Sequence, residues 1–289
     1  MAKHSKSKKK SAFKETWRRL KKNRTAMIGL VIISVFALLA IFADFITPYQ
    51  NAVTQNAQIR LSGPSLSHPF GTDAFGRDVF ARVLHGSRVS LSIGLFTTFF
   101  SVVIGGFLGA AAAYYGGKID GVIMRLMDTL NCIPPILLAL AIIAALGTSL
   151  QNLLIAIIIA NIPIFARLIR SVILTVAEQD FIEAAKSYGT SDFRIIVKYM
   201  LPNAMGPIIV QATMSIAGMM LAAAGLSFIG MGIQPPAPEW GAMLSESREF
   251  MRTAPYLMFF PGASILLSAL ALNLLGDGLR DALDPRLRD

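Results

Sequence analysis

Charged side chains are scarce in this sequence: Asp, Glu, Lys and Arg make up 15% of the 289 residues, while 54% are hydrophobic. A soluble domain carries about 25% charged residues, so water is not the main solvent of this chain. A single cysteine, Cys132, excludes an intrachain disulfide, and His4, His68 and His85 are too scattered to hold a metal. The phosphate-binding pattern G-x-x-x-x-G-K-[ST] is missing. Its nearest approach, Gly116-Gly117-Lys118, is followed by Ile119 and lacks the earlier glycine, so the chain does not bind ATP that way. No Ser/His/Asp or Cys/His set stands where a hydrolase needs one, and no enzymatic activity is expected. Nor does the net charge of +10 point to nucleic acid, because eleven of the 27 basic residues sit in one N-terminal run ahead of an apolar segment.

Long apolar runs are what the sequence has instead. A hydrocarbon core about 30 Å thick needs roughly 20 apolar residues in a helix. Six segments qualify: Met27 to Ile46, Val89 to Ala113, Val122 to Leu146, Leu150 to Leu168, Ala204 to Ile229 and Tyr256 to Leu275. The expected fold class is therefore an all-α integral membrane protein of about six transmembrane helices. Only Gly147, Thr148 and Ser149 separate the third and fourth, which makes those two an antiparallel hairpin. Placing the N-terminus inside puts 21 Lys and Arg on the inner side and 6 on the outer, so both termini are expected in the cytoplasm. The first apolar run is too long for a signal peptide and ends in Ala43-Asp44-Phe45-Ile46 rather than A-x-A. The expected divisions are a basic tail over 1–25, a first span with an outer loop and lead-in over 26–88, a core over 89–277 and a cytoplasmic tail over 278–289.

Within the core, the cytoplasmic connector over 173–203 is the most informative stretch. Ala184 and Ala185 favour helix, Gly189 permits the left-handed turn that ends it, and Thr190 or Ser191 can cap a second short helix. Pro202 suits the first turn of the next membrane helix, where its missing N–H is not needed. Helix, sharp turn and helix at the membrane surface follow from these residues alone.

Glu183-Ala184-Ala185, Gly189 and Leu201-Pro202 together resemble the signature loop of bacterial ABC importer permeases. The isoleucine common two residues before Leu-Pro is Tyr199 here. Three further strings narrow the resemblance to the second permease subunit of the dipeptide, oligopeptide and nickel branch: His68 to Asp78, Gly225 to Gly241, and Gly276 to Pro285. The resemblance implies the type I, MetI-like permease fold. It also implies a coupling role for Glu183, Ala184, Ala185, Lys186, Gly189, Leu201 and Pro202, docked in a groove of an ATP-binding subunit. The partners implied are a second, homologous permease, two ATP-binding subunits that carry ATP and Mg, an extracytoplasmic binding protein and the lipid bilayer of a bacterial cell membrane. No cofactor is expected in this chain. The substrate implied is a di- or oligopeptide, with nickel complexes, glutathione or another small solute as the alternative. A secondary transporter would need coupling-ion carboxylates at mid-membrane, which the sequence does not place there; a non-transporting scaffold would show no substrate-stimulated ATP hydrolysis in its complex.

Other residues carry expectations of their own. Thr72 or Asp73 can cap an amphipathic lead-in on the outer surface, with Asp73 paired to Arg77. Trp240, beside Pro235, Pro236 and Pro238, reads as an interfacial anchor. Asp128 and Arg125 are three apart near the inner end of the third span and can pair. Asn161, two residues before Pro163, and Gln211 are the candidate pathway-lining residues. Gly105 with Gly109, and Gly218 with Ala222, have the small-residue spacing of close helix packing.

Overall fold

The computed structural model describes residues 14–283; the basic run up to Lys10, and Pro285, Arg286 and Arg288, lie outside them. After a helical stretch over 14–20, the main helices are α1 (Arg24–Ile41), α2 (Val79–Tyr115), α3 (Gly117–Asn131), α4 (Pro135–Leu146), α5 (Leu150–Ala177), α6 (Asp180–Ser187), α7 (Leu201–Phe228), α8 (Trp240–Ser247) and α9 (Tyr256–Leu283). Among the described residues, α1, α2, α5, α7 and α9 are long and apolar enough to cross a membrane, and α3 and α4, bent by 85° at their junction, reach that measure only taken together.

That bend corrects the straight third span expected from Val122 to Leu146. Proline disfavours the α conformation in the residue before it and donates no hydrogen bond, so consecutive Pro134 and Pro135 end one helix and start another. Pro134 takes φ −52°, ψ 133°, and Pro135 opens α4. Gly147, at φ +90°, then closes α4, and Ser149 accepts a hydrogen bond from Asn152 N–H at 3.1 Å to start α5, giving the expected hairpin. The first span is also shorter than expected: α1 stops at Ile41, and Ala43–Ile46 forms a separate short helix after Phe42.

The second span differs more. Neither Thr72 nor Asp73 caps it; Asp78 does, accepting from Ala81 N–H at 2.8 Å. From there α2 runs unbroken for 37 residues, roughly 55 Å at the helical rise and well beyond a hydrocarbon core. The expected surface lead-in is thus the buried first turns of α2, where Val79 and Ala81 through Ser87 are all buried. Asp73 and Arg77 do pair, with Arg77 Nε 2.6 Å from Asp73 Oδ2, but in the turn before the helix.

Small residues let the helices approach closely. A Cβ on Gly105 would meet Ile162 O at 2.8 Å and one on Gly109 would overlap Ala166 O, so the α2–α5 contact requires both glycines. Gly29 does the same for α1 against Ala271 of α9. Large apolar side chains left exposed, including Val31 and Val35 on α1, Phe96, Phe99, Phe100 and Phe107 on α2, and Phe259, Leu266 and Leu270 on α9, form a surface suited to lipid.

Candidate coupling site and membrane cavity

The connector folds as its residues dictate. α6 ends at Ser187, and Gly189 sits at φ +70°. Thr190 N–H bonds to Ala185 O at 3.1 Å and Gly189 N–H to Lys186 O at 2.9 Å, the paired closure of a helix by a left-handed glycine. Ser191 takes the N-cap position of a short helix over Asp192–Arg194 without a side-chain cap bond. The backbone then widens into a π-helix over Ile195–Met200, in which Leu201 N–H reaches Ile196 O, before Pro202 opens α7. Single π turns concentrate at functional sites.

Packing divides the connector into two faces. Ile182, Ala185, Ile195, Ile196 and Met200 are buried in one continuous apolar cluster with Phe165, Ile169 and Ile173 of α5 and Ala204 and Ile208 of α7. The outward face carries Glu183, Ala184, Lys186 and Gly189, together with Phe181, Tyr188 and Phe193. Tyr188 is 87% exposed and Phe193 69%, an uncommon exposure for aromatic rings. Polar contacts fasten the connector to the end of α2: Tyr114 Oη donates to Asp192 Oδ1 at 2.6 Å, and Lys186 Nζ lies 5.0 Å from the Tyr114 ring centre. Nearby, Arg170 of α5 holds Asp120 of α3 in a two-pronged pair, Nε at 2.5 Å and Nη2 at 2.6 Å.

Of the seven residues read from the sequence as coupling residues, Glu183, Ala184, Lys186, Gly189 and Pro202 are exposed, Leu201 is half-buried and Ala185 is buried. Ala185 therefore holds the helix down rather than facing outward. Phe181, Tyr188 and Phe193 share that exposed face and were not singled out from the sequence, where they stand as aromatics flanking a glycine in a polar connector. Tyr199, where isoleucine is common, packs half-buried against the same cluster, so its ring fills the apolar role.

A cavity of about 290 Å³ opens between α4, α5 and α7. Asn161 is its one strongly polar side chain; Pro135, Ile136, Ile157, Gly218 and Ala222 are among its walls. Asn161 Nδ2 donates to Ile157 O at 2.8 Å, and α5 continues through Pro163 without a break in its helical run. Gln211 is not brought to this cavity: it lies half-buried on α7, its Nε2 3.3 Å from Ser215 Oγ. Gly218 does not serve packing within the chain, because a Cβ there meets nothing within 4 Å. Its expected helix contact is replaced by open space. The expected Asp128–Arg125 pair is not formed either; Asp128 lies 3.6 Å from Arg167, whose helix crosses α3 on that side.

At the other end, charge is buried rather than displayed. Arg77 and Arg82 are each 1% exposed and converge on Glu246 Oε2, at 2.6 and 2.9 Å. Trp240 is not an interfacial anchor but fully buried, its indole N–H donating to Val83 O at 2.9 Å and Phe36 meeting it edge-on at 5.7 Å. Gly86 leaves room for the indole ring, and Glu239 caps α8 by accepting from Gly241 and Ala242 N–H at 2.9 and 2.8 Å while Ser90 Oγ of α2 donates to it at 3.1 Å. These contacts clamp α8 and the turn over 73–78 onto α2.

A bundle of this kind, with a folded connector at one end and a cavity among its spans, is a membrane transport component. Residues 80–289 match the family described as binding-protein-dependent transport system inner membrane component, and residues 11–64 match the N-terminal TM domain of oligopeptide transport permease C. The chain belongs to this family: it is a multi-pass permease subunit of a binding-protein-dependent ABC importer of the inner membrane. Among its relatives is the dipeptide transport system permease protein DppC of Alkalihalophilus pseudofirmus, 51% identical over 96% of this chain and 91% of the relative. Another is the glutathione transport system permease protein GsiD of Escherichia coli O157:H7, 46% identical over 95% and 90% of the two chains. The permease of the MetNI methionine ABC transporter, solved in inward-facing conformations, superposes with a TM-score of 0.58 over 71% of this chain and 97% of that one, at 19% identity. That likeness establishes the MetI-like fold.

Proposed function

We propose that this subunit imports di- or oligopeptides, with the α6 connector as the docking element for an ATP-hydrolysing partner. The observation that carries the coupling role is the continuous cluster from Ile182 and Ala185 through Phe165 and Ile208: a force on the outward face of α6 has no soft layer to dissipate in before it reaches α5 and α7. The exposed rings of Tyr188 and Phe193 supply apolar anchors, and Glu183 and Lys186 a polar rim, the usual make-up of an interface. In this reading both termini and the connector are cytoplasmic, two partner subunits bind ATP and Mg, and a second, homologous permease closes the cavity beside Asn161. An extracytoplasmic binding protein delivers the solute; ATP-driven closure of the partners tilts α5 and α7 to open the cavity outward, and hydrolysis resets it.

The peptide substrate rests on the 51% identity to a dipeptide permease, and the 46% identity to a glutathione permease supports the second reading, a small peptide-like thiol. A ligand screen on the binding protein that works with this chain tests it. Binding of several unrelated dipeptides is expected; selective binding of glutathione, or of a metal complex with no peptide, overturns the general peptide reading.

A further inference from the structure

We propose that the cleft between the helical stretch over 14–20 and the end of α9 binds the phosphate headgroup of an anionic phospholipid. The cleft holds about 310 Å³, and Arg18, Arg19, Lys22, Asn23 and Asp281 reach into it. Its shape is fixed by packing: Leu20 is buried with Ala26 and Ala282, and a Cβ on Gly278 would overlap that of Ala26, so the chain before α1 sits tightly on α9. Asn23 joins the two walls, its Oδ1 accepting from Ala26 N–H at 3.1 Å and its Nδ2 donating to Asp281 at 3.2 Å.

Charge then decides the ligand. Arg19 is 2.8 Å from Glu15, and Asp281 is engaged by Asn23. Arg18 and Lys22 lie one helical turn apart on the cleft wall and make no ion pair among the described residues. Lys21 and Arg24, both exposed, add to the positive field. An anion with several acceptor oxygens satisfies Arg18 and Lys22 together.

Depth selects a lipid over a free ion. α1 is a membrane span that begins at Arg24, two residues beyond Lys22, which sets the cleft at headgroup level. Trp17, 39% exposed, suits the same layer. Ile28, Val31 and Val35 form an exposed apolar ridge further along α1, a surface on which acyl chains can lie. The inference does not depend on which solute is imported.

The test uses the full complex, purified and analysed by native mass spectrometry after incubation with phosphatidylglycerol or phosphatidylcholine. Phosphatidylglycerol should stay bound and phosphatidylcholine should not. A basic residue near an anionic surface contributes about fivefold in affinity, so the exposed double variant R18Q/K22Q should hold phosphatidylglycerol about 30-fold more weakly. R252Q, far from the cleft, should leave retention unchanged. Asp281→Asn, which removes an opposing charge while keeping an acceptor for Asn23, should tighten it. Retention by R18Q/K22Q equal to the parent, or equal binding of phosphatidylcholine, overturns the proposal. Displacement by inorganic phosphate at concentrations matching those of the lipid overturns the lipid assignment in favour of a free-anion site.

Discussion

Replacing Gly189 tests whether the connector's turn is held by backbone conformation or by space. At φ +70° an L-residue other than glycine is strained by roughly 1–2 kcal/mol, asparagine tolerates the region best, and β-branched residues tolerate it least. Space is no obstacle within the subunit, since a Cβ at Gly189 meets nothing within 4 Å. Gly189→Asn should therefore be nearly silent. Gly189→Ala should shift the local balance away from this turn by about 5- to 30-fold, from the same 1–2 kcal/mol, and Gly189→Val further still. Because Ile182 and Ala185 keep α6 packed, the altered turn should displace Tyr188 and Phe193 rather than unfold the bundle. The assay is solute uptake per ATP hydrolysed in proteoliposomes containing the whole transporter, with membrane insertion followed in parallel. The expected order of coupling is Gly, Asn, Ala, Val. Should Asn uncouple as severely as Val, the glycine is required for close approach of the partner, and the backbone argument fails.

The two small-residue pairs should behave oppositely. Gly109→Ala forces a Cβ into Ala166 O and should lower thermal stability, whereas Gly218→Leu enters open cavity and should reduce uptake with stability kept; equal loss of stability in both would contradict the packing. Trp240→Ala empties a fully buried site and should cost about 3–5 kcal/mol, measured as a fall in the unfolding midpoint in detergent. Arg82→Met leaves Glu246 with half of its buried partners, and losing one member of such a group costs about 3–5 kcal/mol. Its readout is proteolysis of the segment between α1 and α2, which should become cleavable while α5 stays protected. Ile182→Ala, at a fully buried position, should loosen α6 by about 2–5 kcal/mol and lower the uptake-to-ATP ratio without abolishing ATP hydrolysis.

The spans were legible because lipid imposes one requirement, length of apolar helix, that composition reports directly. The connector was legible because Gly189 and Pro202 are each suited to one backbone role, and the structure uses both that way. What composition could not report is which side a residue faces. Trp240 beside three prolines has the signature of an interfacial anchor, yet its ring is enclosed by Val83, Gly86 and Phe36, residues far away in sequence. Arg77 and Arg82 carry no sign of burial in the sequence either; Asp73 nearby and Glu246, 164 or more positions away, together make it tolerable. Pro134 and Pro135 mark the bend in the sequence, but the strongly apolar α4 raises the mean hydropathy of the whole stretch and hides the amphipathic character of α3.

The two ends of the subunit are built for different mechanical tasks, and the contrast supports the proposed direction of force. The end opposite α6 is cross-linked by directional contacts: two arginines on one glutamate, an indole N–H on a carbonyl, a glutamate bridging α8 to α2. Each has one good geometry, so α8 and the first turns of α2 resist relative rotation. The α6 end is held to α5 and α7 mainly by aliphatic side chains, whose contacts are non-directional and survive small sliding. Its polar ties run instead to Tyr114 at the end of α2. A push on α6 is thus expected to move the halves of α5 and α7 nearest it as a packed unit while the clamp at the opposite end acts as the pivot. The cavity beside Asn161 lies along those two helices, where such a tilt changes its width. The lining this subunit gives the cavity holds no charged residue; in the proposed reading, discrimination falls to the protein that delivers the solute, and this subunit supplies the moving wall.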